Sequence, residues 1–379
     1  MSGVDWVAAI FGIAVAGVFY PYVGYPLILA VVGRLRRRSP ISMIRPLPSL
    51  SMIIPVHNEA VRLARKIANT KTLDYPADLL EVLFVSDGST DGSADLIRAN
   101  MGPRMALVEL TSRGGKAAAL NAGLARASGD IVVFTDASIV LEPGALRAIV
   151  LPFGDPSVGC VSGEDRIADA GGEGLYGRYE LYLRRLESQV HSIVGASGSF
   201  YAQRRQVCRP FSEGMAPDFL SVLFTVQQGY RAVSEPTAVG EMTSVKDTRQ
   251  EFERKVRTLL RGMAALFACK PLLNPFRHGL FAFALWSHKI LRWTVPFFLV
   301  AALLTPLARL DSPAFALAFW AQAVFYLTAA VALAEWGNLH RTVPGRVALY
   351  FSSVNAAILA AWYRYWLGVR QEIWTPTQR

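Results

Sequence analysis

The feature that most constrains the fold is a charge-free stretch near the amino terminus. No charged residue occurs from Trp6 to Gly33, a length of 28 residues. About 20 apolar residues cross the hydrocarbon core of a bilayer as a helix, so this stretch can span a membrane with some tilt. Arginines follow it at positions 34, 36, 37 and 38, and the positive-inside rule places the chain after them in the cytoplasm. A cleaved signal peptide would begin with basic residues, whereas Asp5 precedes this stretch, so we predict a membrane anchor over residues 1–40.

The composition agrees with a membrane protein that also carries a domain outside the bilayer. Of the 379 residues, 52% are hydrophobic, and the formal net charge is +10. Basic residues cluster beside apolar segments, so the positive charge favours contact with anionic headgroups over nucleic acid. The cysteines, at positions 160, 208 and 269, are widely spaced and odd in number, which argues against a disulfide framework or a metal cluster.

A second apolar region covers residues 271–379. Its first part, 276–293, carries Arg277, His278, His288, Lys289 and Arg292, and we predict a helix in the membrane interface with these side chains towards the headgroups. Residues 294–308, 314–334 and 347–367 are candidates for crossing the membrane. Four crossings in all would leave the arginines at 364, 370 and 379 outside, against the positive-inside tendency. The sequence therefore leaves the number of spans open.

Between the apolar regions, residues 41–270 alternate between predicted strands and helices. This order predicts an α/β domain with a mostly parallel, doubly wound sheet. The run Ile131–Thr135 is apolar without alternation, as in a strand buried on both faces, and it delivers Asp136 to its carboxyl end. Open α/β sheets bind ligands at that end, and a carboxylate there suits a divalent cation that holds phosphate groups. On this residue alone, capping of a following helix is about as good an interpretation.

Polar residues also follow other predicted strands. The first strand is followed by a segment ending in Glu59, and the second by Asp87 to Asp91, for which capping of the next helix is the favoured role of Asp91. Gly114-Gly115-Lys116 opens a predicted helix, where backbone amides and an ammonium group can meet phosphate oxygens. This segment lacks the spacing of a Walker motif, so by itself it indicates little.

Two further groups allow two interpretations each. Tyr176, Tyr179 and Tyr182 recur at helical spacing, which favours core packing over an acceptor path. Glu164 and Asp165 follow a strand-like run, and contact with a donor sugar and a surface loop are equally consistent with them.

Taken together, four segments closely resemble the inverting family 2 glycosyltransferases. They read Ile-Pro-Val-His-Asn-Glu at 54–59, Ser-Asp-Gly-Ser-Thr-Asp at 86–91, Gly-Lys-Ala-Ala-Ala-Leu-Asn-Ala-Gly at 115–123 and Phe-Thr-Asp-Ala-Ser at 134–138. Gly195–Ala202 and Pro217–Leu220 are similar to the acceptor-side segment and the catalytic acidic motif of the membrane-embedded branch, which includes synthases of the hyaluronan, cellulose and chitin type. The resemblance covers about residues 48 to 270. It implies a Rossmann-like GT-A domain with transmembrane helices at both ends.

The resemblance also implies a role for each matching residue. Asp218 would be the general base that takes the proton of the acceptor hydroxyl. Asp136 would bind Mn²⁺ or Mg²⁺ together with the diphosphate of a nucleotide sugar, and Asp87 would contact the nucleotide base. The residues expected at the nucleotide sugar are Pro55, Glu59, Asp87, Lys116, Asp136, Arg254 and Arg257, and those expected on the acceptor side are Gly198 and Ser199.

Two places depart from the family pattern. Ser138 stands where the family usually has a second Asp, so one metal ligand would be a hydroxyl or a water molecule. Arg254 and Thr258 stand where the Gln-x-x-Arg-Trp segment of processive synthases has Gln and Trp, so processive synthesis is left open. Arg254, Arg257 and Arg261 remain able to approach a diphosphate or lipid headgroups, although a solvated or membrane-facing basic helix is equally consistent.

We therefore predict an inverting glycosyltransferase that moves a sugar from a nucleotide sugar, by preference a UDP-sugar, in cell-surface or exopolysaccharide synthesis. Its expected partners are this donor, a glycan or lipid acceptor, membrane lipids and proteins of a polysaccharide assembly system. The alternatives are a non-processive enzyme for a lipid acceptor and a catalytically silent nucleotide-sugar-binding scaffold. The expected location is a bacterial inner membrane, crossed several times, with residues 41–270 facing the cytoplasm.

Overall fold

An eight-stranded sheet forms the centre of the computed structural model, which describes residues 5–36, 46–168, 171–243 and 248–369. The arginines at 37, 38, 370 and 379 and the first residues of the predicted domain, 41–45, lie outside the described residues. The strands are β1 (Leu50–Val56), β2 (Leu80–Asp87), β3 (Met105–Leu110), β4 (Ile131–Thr135), β5 (Val140–Leu141), β6 (Val158–Ala168), β7 (Phe200–Arg204) and β8 (Arg231–Thr243).

Helices cover both faces of the sheet and extend beyond it at both ends of the chain. Short π-helical turns at Tyr20–Gly24 and Leu285–Ile290 join α1 to α2 and α10 to α11. The helices are α1 (Trp6–Phe19), α2 (Tyr25–Leu35), α3 (Ala60–Lys71), α4 (Ser93–Asn100), α5 (Gly115–Arg126), α6 (Ala145–Val150), α7 (Gly171–Val190), α8 (Pro217–Gln227), α9 (Thr248–Ala268), α10 (Pro275–Ala284), α11 (Leu291–Leu304), α12 (Pro313–Leu333) and α13 (Val343–Trp366).

The sheet has a parallel half and a mixed half. Its spatial order is β3-β2-β1-β4-β7-β6-β8-β5. The first four strands are mutually parallel, and β7 runs antiparallel to both of its neighbours. The predicted mostly parallel α/β sheet is thereby confirmed, and the carboxyl ends of β1, β2 and β4 meet at one edge.

Packing on both faces explains why β1 and β4 are apolar without alternation. Every residue of these two strands is buried. Met52 packs in the same apolar cluster as Ile67 of α3, whereas Ile53 belongs to the cluster on the opposite face, with Leu120 of α5. Gly123 lets α5 approach closely, because a Cβ there would lie 2.6 Å from a methyl carbon of Ile53. This contact seats α5, and with it Lys116, on the sheet.

Among the described residues, four helical segments are long and apolar enough to cross a membrane. They are Trp6–Leu35, Pro275–Arg309, Pro313–Leu333 and Val343–Trp366. The expected interfacial helix over residues 276–293 is not a separate element. It forms the first part of Pro275–Arg309, which bends at Gly279, where φ is +46°.

The prediction that the basic side chains of residues 276–293 face headgroups is wrong for His288 and Arg292. Both are buried, and both contact carboxylates of α7. His288 Nδ1 lies 2.6 Å from Glu187 Oε1, and Arg292 Nη1 donates to Glu180 Oε1. Acids of the sheet domain draw these cations inward, because a charge within an apolar region is tolerated only beside a counter-charge.

The last helix, α13, stays against the sheet domain over much of its length. The Lys255 ammonium of α9 lies 4.2 Å from the ring centroid of Tyr350, and Arg364 forms an ion pair with Glu253 at 3.0 Å. Tyr350 and Arg364 are about 21 Å apart along the helix, yet they contact α9 residues two positions apart. The α13 axis therefore runs alongside the domain rather than away from it.

Glu187 provides a test of the connection between the membrane helices and the domain. Its carboxylate accepts from the Tyr25 hydroxyl at 2.9 Å and from the Val194 backbone N–H at 3.1 Å, and it contacts His288, so Glu187→Ala removes a partner from three buried polar groups. We expect a loss of about 3 kcal/mol in the free energy of unfolding, measured by chemical denaturation in detergent. The control Glu142→Ala removes an exposed ion pair with Arg166 and should change it by at most about 1 kcal/mol. Equal losses in the free energy of unfolding for the two variants would contradict the role of Glu187 in connecting the membrane helices to the domain.

Candidate active site

A crevice opens where the carboxyl ends of the parallel strands meet the start of α8. It brings together five residues that the sequence analysis assigned to the site, although they come from five separate parts of the chain. These five are Pro55, Lys116, Asp136, Gly198 and Asp218. The enclosed space is about 10 Å³, room for about one water molecule, because the side chains of Lys116 and Asp136 meet across it.

The ion pair between Lys116 and Asp136 closes the crevice. Lys116 Nζ lies 2.5 Å from Asp136 Oδ1 and also donates to the carbonyl oxygen of Gly198 at 3.3 Å. The backbone N–H of Asp136 donates to the Ser199 carbonyl at 3.0 Å, which joins the end of β4 to the segment before β7. The alternative role of Asp136 as a helix cap is not seen, because α6 begins only at Ala145. Its carboxylate instead faces the crevice.

Lys66 supports the turn that carries Asp136, and the sequence analysis missed it. Its Nζ donates to Thr135 Oγ1 at 3.0 Å and to the Ile139 carbonyl at 2.8 Å, on either side of Asp136. Burial lowers the pKa of this ammonium to about 7, and the nearby Asp136 carboxylate acts in the opposite direction. The available signal was a lysine between Leu63 and Ile67 on the buried face of α3.

Asp87 holds the start of α5 rather than lining the crevice. Its two carboxylate oxygens accept from the backbone N–H groups of Gly114, at 2.7 Å, and Gly115, at 2.9 Å. These bonds satisfy amides at the helix start, and they position Lys116 one residue further on. Carboxylate oxygens have further lone pairs, so contact between Asp87 and a nucleotide base stays a prediction.

Glu59 and Asp91 lie beside this end of the sheet. Asp91 accepts from the backbone N–H groups of Ala60 and Ser93, at 2.9 and 3.0 Å, in the capping role favoured from the sequence. Glu59 is buried and contacts Arg62 at 3.3 Å. Burial raises the pKa of Glu59, and the negative charges of Asp136 and Asp91 add to this effect. Neither acid lines the crevice.

Of Arg254, Arg257 and Arg261, the three α9 arginines singled out from the sequence, only Arg261 contacts the segment that leads to Asp218. Its Nη2 donates to the Met215 carbonyl at 2.9 Å, three residues before Asp218, and its buried Nε has no hydrogen-bond partner among the described residues. Burial lowers the pKa of Arg261, while the Asp218 and Asp136 carboxylates act to raise it. An unsatisfied buried guanidinium N–H beside two acids fits a site that receives an anion.

Arg254 and Arg257 do not line the crevice. Arg254 makes two hydrogen bonds of 2.7 Å to the carboxylate of Glu251, one turn earlier on α9. Arg257 is partly buried, and burial together with the charge of Arg254 lowers its pKa. Their predicted contact with the donor stays a prediction.

The acceptor-side segment is held by β6. The Ser197 hydroxyl donates to Asp165 at 2.6 Å and accepts from the N–H groups of Ser199 and Phe200. Ser199 is buried, so of the two predicted acceptor-side residues only Gly198 lines the crevice. The surface-loop interpretation of Glu164 and Asp165 is wrong: both lie in β6, where buried Glu164 binds Arg185 through both oxygens.

The crevice fits a divalent cation that arrives together with a diphosphate. The described residues include no cluster of three or more His, Cys, Asp or Glu side chains that could hold a metal. Asp136 offers carboxylate oxygens to the crevice, and Mg²⁺ is commonly held by one or two carboxylates with substrate phosphates and water. Asp136 is therefore sufficient as a protein anchor for such a cation.

Comparison with known proteins relates the domain around this crevice to a family of transferases. Residues 51–210 match the family model described as glycosyl transferase family 2. One solved structure, the mannosyltransferase PcManGT from Pyrobaculum calidifontis in complex with GDP-Man and Mn²⁺, aligns with a TM-score of 0.73 and 27% identity. The alignment covers 96% of this chain and 99% of that one, so the likeness includes the membrane helices.

Two curated relatives match over shorter stretches. The beta-monoglucosyldiacylglycerol synthase of Synechocystis sp. is 33% identical over 175 residues, which are 43% of this chain and 36% of that protein. The poly-beta-1,6-N-acetyl-D-glucosamine synthase of Staphylococcus aureus is 30% identical over 207 residues, 51% of this chain and 49% of that protein. The chain thus spans between about a third and a half of the length of these relatives.

The lowered pKa of Lys66 predicts a pH-dependent stability. Because this lysine binds its proton more weakly in the folded chain than in the unfolded one, folding is opposed at pH 7 and less so as the pH rises towards 10. Relative to Lys66→Met, the wild-type free energy of unfolding should increase by up to about 1.4 kcal/mol per pH unit above pH 7. Chemical denaturation of both proteins in detergent at pH 7 and pH 9 measures this. A stability difference that does not change with pH would refute it.

Proposed function

We propose that the chain is a membrane-bound, inverting family 2 glycosyltransferase that uses a nucleotide sugar, because residues 51–210 match that family's model and a mannosyltransferase structure aligns over 96% of the chain. The sugar passes to a hydroxyl of a glycan or lipid acceptor. One observation carries this proposal: Lys116, Asp136 and Asp218 converge on a single crevice. A cation, a metal-binding carboxylate and a second carboxylate are the parts that the reaction needs.

The cations around the crevice stabilise the leaving group. As the bond between the anomeric carbon and the diphosphate oxygen breaks, negative charge develops on the diphosphate. Lys116 exchanges its contact with Asp136 for a phosphate oxygen, and the unpartnered N–H of Arg261 donates to the same group. A bound divalent cation, held by Asp136 with Ser138 or water, supplies Lewis-acid stabilisation of that charge.

Asp218 is the general base. It is the second residue of α8, and it lines the crevice beside Gly198 and Tyr201, on the acceptor side. Its carboxylate takes the proton of the acceptor hydroxyl as the oxygen bonds to the anomeric carbon, a contribution of about 10²–10⁴-fold in rate. Attack from the face opposite the leaving diphosphate inverts the anomeric centre.

Experiment can identify the nucleotide of the donor and the class of the acceptor. The sequence analysis favours a UDP-sugar, whereas the P. calidifontis structure contains GDP-Man, so both classes belong in a donor panel. The two curated relatives are named for a glycolipid and for a polysaccharide, which supports testing both acceptor classes. Participation in cell-surface or exopolysaccharide synthesis, with partner proteins, remains part of the proposal.

We propose three membrane crossings, with α13 lying in the inner interface. Asp5 pairs with Arg309 at 2.7 Å, so the start of α1 and the end of the second segment lie at the same level, away from the domain. The contacts of α13 with α9 keep its end beside the domain. The amino terminus is then outside, and the domain and Arg364 are in the cytoplasm, in agreement with the positive-inside tendency.

The function is tested by nucleoside diphosphate release from protein in nanodiscs, over a panel of UDP-sugars and GDP-mannose, with and without Mn²⁺. Asp218→Asn should lower the rate by about 10²–10⁴-fold while donor binding is retained. Asp136→Ala should abolish the increase in release that Mn²⁺ causes. Arg261→Gln should lower the rate of release by about 10²-fold. The matched change Arg254→Gln should have a much smaller effect, because Glu251 already engages that side chain.

Two results would overturn these roles. Undiminished release by Asp218→Asn would exclude it as the base. Donor binding without release from any sugar, with glycan and lipid acceptors present, would favour the catalytically silent scaffold.

The topology is tested by labelling single added cysteines in right-side-out vesicles with a membrane-impermeant maleimide. The native cysteines at 160, 208 and 269 are buried, which keeps the background low. We expect Asp311→Cys to be labelled and Leu367→Cys to be labelled only after the membrane is opened. Labelling of both in sealed vesicles would mean that α13 crosses the membrane.

A further inference from the structure

A second cavity, which we call the membrane cavity, lies among the apolar helices outside the glycosyltransferase domain. Its volume is about 730 Å³, which is within the range of small-molecule binding sites. It is enclosed by α1, α11, α12 and α13, with one wall formed by α7 of the domain. Lining residues that represent these elements are Phe11, Leu299, Phe325, Phe351 and Tyr176.

The lining of the membrane cavity favours a hydrocarbon occupant. Apart from tyrosines, the one polar side chain in it is Gln322, whose amide N–H groups already donate to the carbonyls of Ala302 and Ala318. A saccharide would lose the hydration of many hydroxyls without gaining hydrogen-bond partners, which opposes its binding. Leu317 and Val324 on α12 are exposed, so lipid surrounds the helix that forms this wall.

One end of the cavity is a collar of three tyrosines beside a buried cation. The Arg292 guanidinium carbon lies 5.1, 6.0 and 5.7 Å from the ring centroids of Tyr22, Tyr176 and Tyr179. Arg292 is only 6% exposed. Its Nη1 is bonded to Glu180, whereas its Nε and Nη2 have no hydrogen-bond partner within the described ranges. Unsatisfied buried N–H groups of a cation indicate a place for an anion.

Lys289 continues from this collar towards Asp218. It lies one turn before Arg292, and its Nζ is 5.2 Å from the ring centroid of Phe219, the residue that follows Asp218. In the part of the chain that the structure describes, Nζ has no hydrogen bond or ion pair. An ammonium group one turn from Arg292 and beside the residue that follows the general base can contact an acceptor that extends from the collar to Asp218.

We propose that the membrane cavity binds the hydrocarbon chain of a lipid acceptor whose headgroup carries a phosphate. The chain lies among α1, α12 and α13, the phosphate accepts from Arg292 and Lys289, and the acceptor hydroxyl lies at Asp218. This inference rests on the proposed function and names its acceptor class. The phosphate bonds would be charge-assisted, and therefore stronger than those of a neutral headgroup.

The test uses the full chain in phosphatidylcholine nanodiscs with two photoactivatable probes. One is phosphatidic acid with a diazirine near the end of an acyl chain, and the other is diacylglycerol with the same chain. We expect phosphatidic acid to label cavity residues such as Phe325 and Phe351, as mapped by mass spectrometry. Ala318→Trp, which fills the cavity, should lower this labelling about tenfold, whereas Ala330→Trp, on an exposed position of α12, should leave it unchanged.

The charge requirement is tested with Lys289→Gln and the exposed control Lys270→Gln. Loss of a charged hydrogen bond should lower labelling by phosphatidic acid about tenfold in Lys289→Gln, without changing labelling by diacylglycerol. Lys270→Gln should behave as wild type. Donor binding, measured on each variant, verifies that the domain is folded.

Equal labelling by the two probes, unaffected by Lys289→Gln, would mean that the cavity holds bulk lipid only and would overturn the proposal. Transfer to a soluble glycan, with labelling insensitive to Ala318→Trp, would overturn it while leaving the proposed function intact. A wild type that is labelled as expected but releases no nucleoside diphosphate from any donor would instead overturn the proposed function. Loss of transfer to phosphatidylglycerol, which carries both a phosphate and free headgroup hydroxyls, in Ala318→Trp, with donor hydrolysis retained, would support both.

Discussion

Two carboxylates on α7, those of Glu180 and Glu187, hold the apolar helices against the sheet domain. They contact Arg292, His288 and Tyr25, which belong to two different apolar segments. Charges so far from water persist only with counter-charges and hydrogen bonds, so these contacts determine how the helices sit on the domain. The collar of tyrosines, the membrane cavity and the position of Lys289 above Phe219 all depend on this arrangement.

The crevice follows the same rule, because its charged groups also lie beside groups of opposite charge. Lys116 pairs with Asp136, Lys66 lies close to Asp136, and Arg261 lies close to both Asp136 and Asp218. Without a donor, the Lys116–Asp136 pair neutralises part of this charge and fills the space. A diphosphate with its divalent cation would replace both halves of that pair at once. The absence of a second Asp at position 138 is consistent with a site that already carries a buried ammonium beneath the turn.

The membrane region bears on the choice between single transfer and polymerisation. The apolar cavity offers a place for a hydrocarbon chain and few partners for sugar hydroxyls. Of the four described segments that are long and apolar enough to cross a membrane, α13 contacts α9 of the domain. Together with Thr258 in place of Trp, these features favour a lipid acceptor over a growing polysaccharide.

The sequence by itself determined the features that depend on residues close to one another in the chain. Apolar runs that end in acids predicted the strands and the edge where they meet. The motif order identified Asp136, Lys116 and Asp218, because each follows directly from a strand or begins a helix.

Only the tertiary structure decided which cations face which acids. His288 meets Glu187 across 101 residues, Lys66 reaches Ile139 across 73, and Arg261 rather than Arg254 approaches Asp218. A long basic side chain can contact lipid headgroups, solvent or a buried acid. Which of these it contacts depends on whether residues far away in the chain bury it. For that reason the sequence predicted the crevice, whereas the structure was needed to find the collar of tyrosines, the membrane cavity and Lys66 beside the turn that carries Asp136.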